Sequence, residues 1–366
     1  MRIAIVSANF RPHVGGIERF VEILAMELGR RGHEITVACC RYNGAPRQEE
    51  LDGFSVVRVP AAYVLDRRVN VPYPLPDPTR LVATLRRVVT RADVVHVQDV
   101  LYATSLPALL IARRRGVPSI LTQHVAFVPQ KNRVLDAVEA AALGTLGRCA
   151  RLAGSVATLN PSVANWATQQ WGIPDVRVLP VGVPPPAPGS VDREAVRDSF
   201  GLPREKFLAL FVGRDVPKKG LDIFFGAADP AYELVAVTDR SAHGGSGIVI
   251  PFMSPERLQE LLSAVDAFVL PSEGEGFPVS LQEALGHGLP VVTTSQPGYE
   301  RFLSADDVLF VDRNPHSVRH ALMRLIGDVQ LRERLVERSR AAAERHFGVV
   351  SFADAYEELY GEAVAR

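Results

Sequence analysis

The feature that most limits how this chain can fold is a repeated alternation that is broken once. Short runs rich in Val, Ile and Leu recur through the first half at 2–8 (RIAIVSA), 34–40 (EITVACC), 55–60 (SVVRVP), 93–98 (DVVHVQ), 118–123 (PSILTQ) and 154–159 (GSVATL). Amphipathic stretches of helical spacing, at 16–30, 79–90, 101–115 and 161–171, separate several of them. Strands apolar on both faces belong to parallel sheets that helices cover on both sides. The break is PVGVPPPAPGS at 180–190, where five of eleven residues are proline. Without the backbone N–H, proline admits neither a helix interior nor a central strand, so this is the best linker. Strand-like runs then resume at 206–213, 232–238, 247–252, 266–272, 289–294 and 307–311, and from Asn314 onward the chain reads as consecutive helices.

The length, 366 residues, suits two domains better than one core. We expect an N-terminal domain over 1–180, a linker over 181–191, a second domain over 192–345 and a terminal helix over 346–366. That helix can pack on either domain, including back on the first. Hydrophobic residues make up 47% and charged residues 22%, as in soluble globular proteins. Lys plus Arg equal Asp plus Glu at 41 each, so no global field recruits nucleic acid. Cys39, Cys40 and Cys149 are odd in number and lack metal-ligand spacing, which favours a reducing, cytoplasmic setting. MRIAIVSANF reads as a buried first strand rather than a signal peptide, and no apolar run is long enough to span a bilayer.

Two successive α/β units leave a cleft, and ligands bind beyond the carboxyl ends of such strands. Four segments put chemistry there. PSEGEGFPVSLQEALGHGLPVV (271–292) has Pro278 suited to a helix first turn, with the helix running to Gly286 or Gly288. Glu275 precedes it beside the amides of Gly276 and Phe277, and Glu283 sits on the face of Val279 and Ser280. Amides at a helix start attract anions. Taken singly, Glu275 would only complement the dipole and Glu283 would be a solvated helix residue. Glu273 is read as a solvated loop residue with no partner.

FVGRDVPKKG (211–220) ends a strand at Gly213, followed at once by Arg214 and a short loop, with Lys218 and Lys219 opening a helix. Cations there oppose the dipole, so an anion between Arg214 and Lys219 makes better sense of them. RPHVGGIERF (11–20) gives a Gly15–Gly16 turn into a helix. It is neither a dinucleotide nor a Walker fingerprint, yet it lets a ligand approach backbone closely. His96 and His124 each end an apolar run at the same edge. A histidine in that position is more often structural, and no Ser or Cys nucleophile or metal-spaced cluster accompanies either.

Together these segments resemble the retaining nucleotide-sugar glycosyltransferases of family 4, over nearly the whole chain. The carriers are RPHVGGIERFVEILAMELGRRGHEITV, VGRDVPKKGLDIF and, most specifically, the Glu275-x7-Glu283 segment. The resemblance implies the GT-B fold: two Rossmann-like domains whose parallel sheets face a central cleft. It also implies a nucleoside-diphosphate sugar as donor, a carbohydrate, glycolipid or small-molecule hydroxyl as acceptor, and no required cofactor or metal. Arg214 and Lys219 would hold the diphosphate, Glu275 the sugar hydroxyls beside the Gly276 and Phe277 amides, and Glu283 the ribose. Gly16 would approach the phosphate and His124 the donor sugar, while His13, Gly15 and His96 would serve the acceptor. Catalysis would rest on His124, Arg214, Lys219 and Glu275, with the leaving phosphate helping to deprotonate the acceptor.

Two departures stand out: VTDRSAHGG where the family often has a Gly-rich turn, and PVGV, with Val181, for the usual PNGV. The alternatives are a non-catalytic nucleotide-sugar-binding protein, and an epimerase or phosphorylase on the same fold. A further expectation is peripheral contact with an anionic membrane, the inner face for a cytoplasmic protein. It rests on Tyr63, Arg67, Arg68 and Tyr73 in one loop and Lys131, Arg133, Arg148 and Arg151 in another segment.

Overall fold

The computed structural model describes all residues except 65–72, 127–132, 187–190 and 240–246. The chain divides into two compact units, Met1–Val181 with Val349–Arg366, and Gly182–Gly348.

In the first unit, strands β1 (Arg2–Val6), β2 (Glu34–Arg41), β3 (Gln48–Leu51), β4 (Phe54–Ala62), β5 (Leu75–Pro76), β6 (Val94–Gln98), β7 (Ser119–Gln123), β8 (Ser155–Thr158) and β9 (Val176–Val178) form one sheet. Its order is β3-β4-β2-β1-β6-β7-β8-β9, with β5 on β4. Every pairing is parallel except β3–β4 and β4–β5. β6 and β7 are buried at every position, as expected for strands covered on both faces. β3, β5 and β9 were not expected from the sequence. QEEL has no apolar run, and the other two are too short to show a period.

Helices Gly16–Arg30, Pro78–Arg91, Ser105–Arg115 and Pro161–Trp171 flank the sheet strands in sequence. Asp77 caps the second through Arg80 N, and Asn160 caps the fourth through Val163 N. The terminal helix, Val349–Ala365, belongs to this unit and buries Phe352, Tyr356 and Tyr360. Phe20, wholly buried, meets the rings of Phe352 and Tyr356 edge-on at 5.2 and 5.6 Å. Arg31 ties the rim, ion-pairing Asp354 at 2.6 Å and Glu357 at 2.9 Å.

The second unit holds a wholly parallel sheet of β10 (Phe207–Val212), β11 (Tyr232–Thr238), β12 (Ile248–Pro251), β13 (Ala267–Leu270), β14 (Val291–Thr293) and β15 (Leu309–Phe310). Its order is β12-β11-β10-β13-β14-β15. The chain winds outward from β10 in one direction and resumes at β13 in the other. That doubly wound order puts its topological switch point between β10 and β13, and ligand crevices form there. In this unit Val183 N donates to Phe347 O at 2.8 Å, joining its first and last segments. Helices Pro315–Gly327 and Val329–His346 close it.

Candidate functional site

Two loops leave the sheet of the second unit at its switch point: 213–220 after β10 and 271–278 after β13. They touch at Gly220, whose φ is +73° and whose added Cβ would lie 2.4 Å from Pro271 O. Only glycine accepts both the left-handed backbone and that approach. The lysines do not open a helix, as the sequence had suggested. Pro217–Lys219 form a single 3-10 turn, and the helix starts at Leu221, because Gly220 reverses the backbone between them.

This turn brings Lys219 Nζ to 3.1 Å from Glu275 Oε1, with both side chains largely buried. Burial works against ionisation of Glu275, but Lys219, then Lys218 and Arg214, outweigh it and hold the carboxyl below its usual range. Burial also lowers the Lys219 ammonium; Lys218 and Arg214 push the same way while Glu275 resists. Three cations thus crowd one carboxylate. Among the described residues no side-chain hydrogen bond or ion pair engages Arg214. A cluster of cations with its guanidinium unengaged is suited to a polyanion.

Buried polar atoms that lack a hydrogen-bond partner lie in and around the second loop: Ser272 Oγ and Glu275 Oε1 within it, Gln282 Oε1 on the helix that follows, and Tyr299 OH on a turn packed against Phe277. The approach of Glu275 Oε1 to Lys219 is an ion pair without hydrogen-bond alignment. Buried polar groups are normally satisfied, so their grouping marks a place built for polar contact with something else. Tyr299 is wholly buried beside the Phe277 ring at 4.6 Å, and burial, then Glu275, push its hydroxyl well above the usual phenol range. The Phe277 side chain is itself core, packed on Phe302 and Phe347, so only its backbone is available to a ligand. Gly276 is buried between Glu275 and Phe277. Helix Val279–Gly286 begins immediately after Pro278, and Ser280 Oγ donates to Val212 O at 3.3 Å, which seats its N-terminus at the end of β10.

Supports for the 271–278 loop carried no sequence signal. Gln296 Oε1 accepts from Gly274 N at 2.9 Å, and its Nε2 donates to Ser272 O at 2.6 Å. Arg313 lies 3.5 Å from Glu273 Oε1 and donates to Pro217 O, bridging both loops. Glu273 therefore has a partner, contrary to the sequence reading, because the loop after β15 brings in a cation that sequence distance concealed.

Glu283 is not a solvated helix residue either: it is 5% exposed. Gln259 Nε2 donates to its Oε1 at 3.1 Å, from helix Pro255–Ala264. Glu275 and Glu283 thus have different partners.

In the first unit the histidines separate. His124 directly follows β7 and is 5% exposed. Its backbone N donates to Asp99 Oδ1 at 2.8 Å, its Nε2 lies 2.8 Å from Gln98 Oε1, and Phe20 packs edge-on at 4.8 Å. Burial lowers its pKa to about 3, so the ring is neutral. Asp99 holds φ +49°, an uncommon conformation found more often at functional sites.

His96 does not end its strand. It lies in the middle of β6, wholly buried, with Nδ1 2.7 Å from Tyr360 OH and Nε2 2.7 Å from Thr122 Oγ1. Both nitrogens are taken, so an acceptor-binding role is corrected to a structural one. His13 Nδ1 pairs with Glu18 Oε1 at 2.7 Å, and its ring meets Tyr42 edge-on. Gly15 caps helix Gly16–Arg30, and a Cβ on exposed Gly16 would meet nothing within 4 Å, so the backbone there is open to approach.

Of the membrane-contact residues, Arg67, Arg68 and Lys131 lie outside the described residues. Tyr63 is buried and donates to Asn9 Oδ1 at 3.0 Å, so it is not a surface aromatic. No helix among the described residues is long and apolar enough to cross a membrane. Nor do they contain a group of three or more His, Cys, Asp or Glu placed to hold a metal ion.

Comparison with known proteins identifies the family. Residues 14–185 match the family described as Glycosyltransferase Family 4, and residues 244–342 match Glycosyl transferases group 1. A GDP-mannose-dependent alpha-mannosyltransferase of Mycobacterium tuberculosis is 32% identical, over 81% of this chain and 80% of that protein. A D-inositol 3-phosphate glycosyltransferase of Xylanimonas cellulosilytica is 28% identical, over 100% of this chain and 97% of that protein. Among solved structures, Anabaena HepE in complex with UDP and glucose superposes with a TM-score of 0.75 at 16% identity, over 99% of this chain and 100% of that one. That last likeness concerns the fold.

Proposed function

The chain belongs to glycosyltransferase family 4 and transfers a sugar from a nucleotide-sugar donor, and on that premise we propose how its own residues do so. The donor diphosphate binds between Arg214 and Lys219 at the switch point of the second unit, with the first-turn amides of helix Val279–Gly286 beside it. Glu275 turns from Lys219 to sugar hydroxyls as the phosphate takes over the ammonium, and Glu283 receives the ribose. In the first unit His124, His13, Gly15 and Gly16 are the substrate-contacting positions. The observation that carries this reading is the buried Lys219–Glu275 pair at 3.1 Å, among cations that outnumber it.

When the glycosyl–phosphate bond breaks, negative charge grows on the leaving diphosphate. Cations fixed beforehand stabilise that charge without reorganising, which is the largest single source of rate in many enzymes. Glu275 pairs with Lys219 before the donor binds and with sugar hydroxyls afterwards, rather than attacking the anomeric carbon. The acceptor hydroxyl then enters on the face the phosphate leaves, a phosphate oxygen takes its proton, and the configuration is retained. A hexosyl donor is proposed, with GDP-mannose first to test because a relative at 32% identity carries that dependence in its name. The acceptor is a carbohydrate, glycolipid or small-molecule hydroxyl. A cytoplasmic setting is supported by three cysteines that are all free.

A thermal-shift and turnover screen over guanosine, uridine, adenosine and thymidine diphosphates and their sugars tests this. At least one raises Tm, and Lys219→Ala abolishes that shift and lowers kcat/KM by about 10²-fold or more. No shift with any of the four would refute the reading.

A further inference from the structure

Two helices of the second unit face each other through paired side chains one turn apart. Gln259 and Ser263 lie on helix Pro255–Ala264; Glu283 and His287 lie on Val279–Gly286 and its cap. Residues four apart share a helix face. Gln259 bonds both members of the opposite pair: its Nε2 lies 3.1 Å from Glu283 Oε1 and its Oε1 2.7 Å from His287 Nε2. His287 Nδ1 lies 3.2 Å from Ser263 Oγ, which closes the ring of contacts.

The direction of this chain is not free. An ionised carboxylate only accepts, so the amide of Gln259 must turn its NH₂ to Glu283 and its oxygen to His287. His287 Nε2 must then carry a proton, and Nδ1 faces the serine hydroxyl. Burial, then Arg340, lower the His287 pKa to about 4, so the ring is neutral and this tautomer holds at neutral pH.

A glutamate side chain has several rotatable bonds, and ordering it when a ligand arrives weakens binding. A residue that holds the carboxylate plane beforehand removes that cost. Resting on the assignment of Glu283 to the ribose, we propose that Gln259, backed by His287, is the positioning residue that orients Glu283 to recognise ribose hydroxyls. The preference of this enzyme for a ribonucleotide over a deoxyribonucleotide donor then depends on Gln259, which need not touch the ligand.

The test is calorimetric, on the full chain, with guanosine diphosphate against 2′,3′-dideoxyguanosine diphosphate. The uridine pair is run beside it, and pyrophosphate is the control. The ratio is read from the tighter pair. Wild type favours the ribonucleotide by about tenfold or more, the worth of a hydrogen bond to a charged group. Gln259→Met, which keeps length and volume, lowers that ratio at least about threefold and leaves pyrophosphate affinity unchanged. If the methionine variant does not fold, Gln259→Ala gives the same reading.

Glu283→Gln separates the two levels of the argument. If it collapses the ratio while Gln259→Met does not, the positioning role is overturned and the ribose assignment stands. If neither changes it, the ribose assignment falls and this inference with it. An equal loss of pyrophosphate affinity in Gln259→Met would mean that Gln259 only packs the helices, which also overturns the proposal.

Discussion

Lys219 and Glu275 show how much one side chain depends on its neighbour here. Glu275 is the principal group resisting the lowering of the Lys219 ammonium that burial causes. Replacing it by glutamine removes that support, so the lysine loses its proton at a lower pH than in wild type. Glu275→Gln therefore moves the alkaline loss of nucleoside-diphosphate affinity to lower pH; an unmoved limb in a pH series of Kd values would contradict the coupling. Arg214, Lys219, Glu275 and Glu283 were legible because charged residues in otherwise apolar segments conflict with burial unless something answers them. Gln259, Gln296 and Arg313 were not. A glutamine in a helix and an arginine in a loop conflict with nothing locally, and only their contacts reveal a role. His96 misled for the opposite reason: a polar residue in an apolar strand resembles a site until its two buried hydroxyl partners are known.

At the level of elements, the decisive contact is between the loops after β10 and β13, and Gly220 permits it. Gly220→Ala strains a left-handed backbone and drives a Cβ against Pro271 O, so the loops must separate. We expect a loss of about 1–3 kcal/mol in stability of the second unit. Donor KM should rise more than that of an exposed control such as Gly201→Ala, which has a positive φ but no close neighbour. Strands and helices with a strong period were visible in sequence to within a few residues: β11 spans the expected 232–238, whereas the helix expected over 101–115 starts at Ser105. The edge strands β3, β5 and β9 were not, because pairing with a neighbour, rather than an apolar pattern of their own, makes them strands.

For the whole molecule, the two buried neutral histidines of the first unit make a predictable contribution to the response to acid. His96 and His124 have folded pKa values lowered to about 3, chiefly by burial, whereas unfolded histidine titrates near 6.5. The unfolded chain therefore binds protons first. Their contribution is fully present above about pH 6.5 and is lost as pH falls toward 3. At pH 5 each would cost about 2 kcal/mol of first-unit stability. Trp166 and Trp171, the two tryptophans of the chain, both lie in that unit, so urea melts followed by tryptophan fluorescence report it alone. His96→Gln should reduce the slope of stability against pH between 6 and 4.5 by about one proton, and an unchanged slope would show that His96 is not buried neutral.

By itself the sequence determined the class of fold, the places where strands end and the charged residues waiting there. Those follow from local rules: periodicity, proline and glycine geometry, and the cost of charge among apolar neighbours. Tertiary structure alone decided which residue answers which: Lys219 to Glu275, Gln259 to Glu283, Arg313 to Glu273, Tyr360 to His96. It also decided that the terminal helix joins the first unit, across the whole second unit in sequence. Such pairings depend on how separate loops and helices converge in space, and hydrophobic periodicity, which acts over a few residues, carries no record of that convergence.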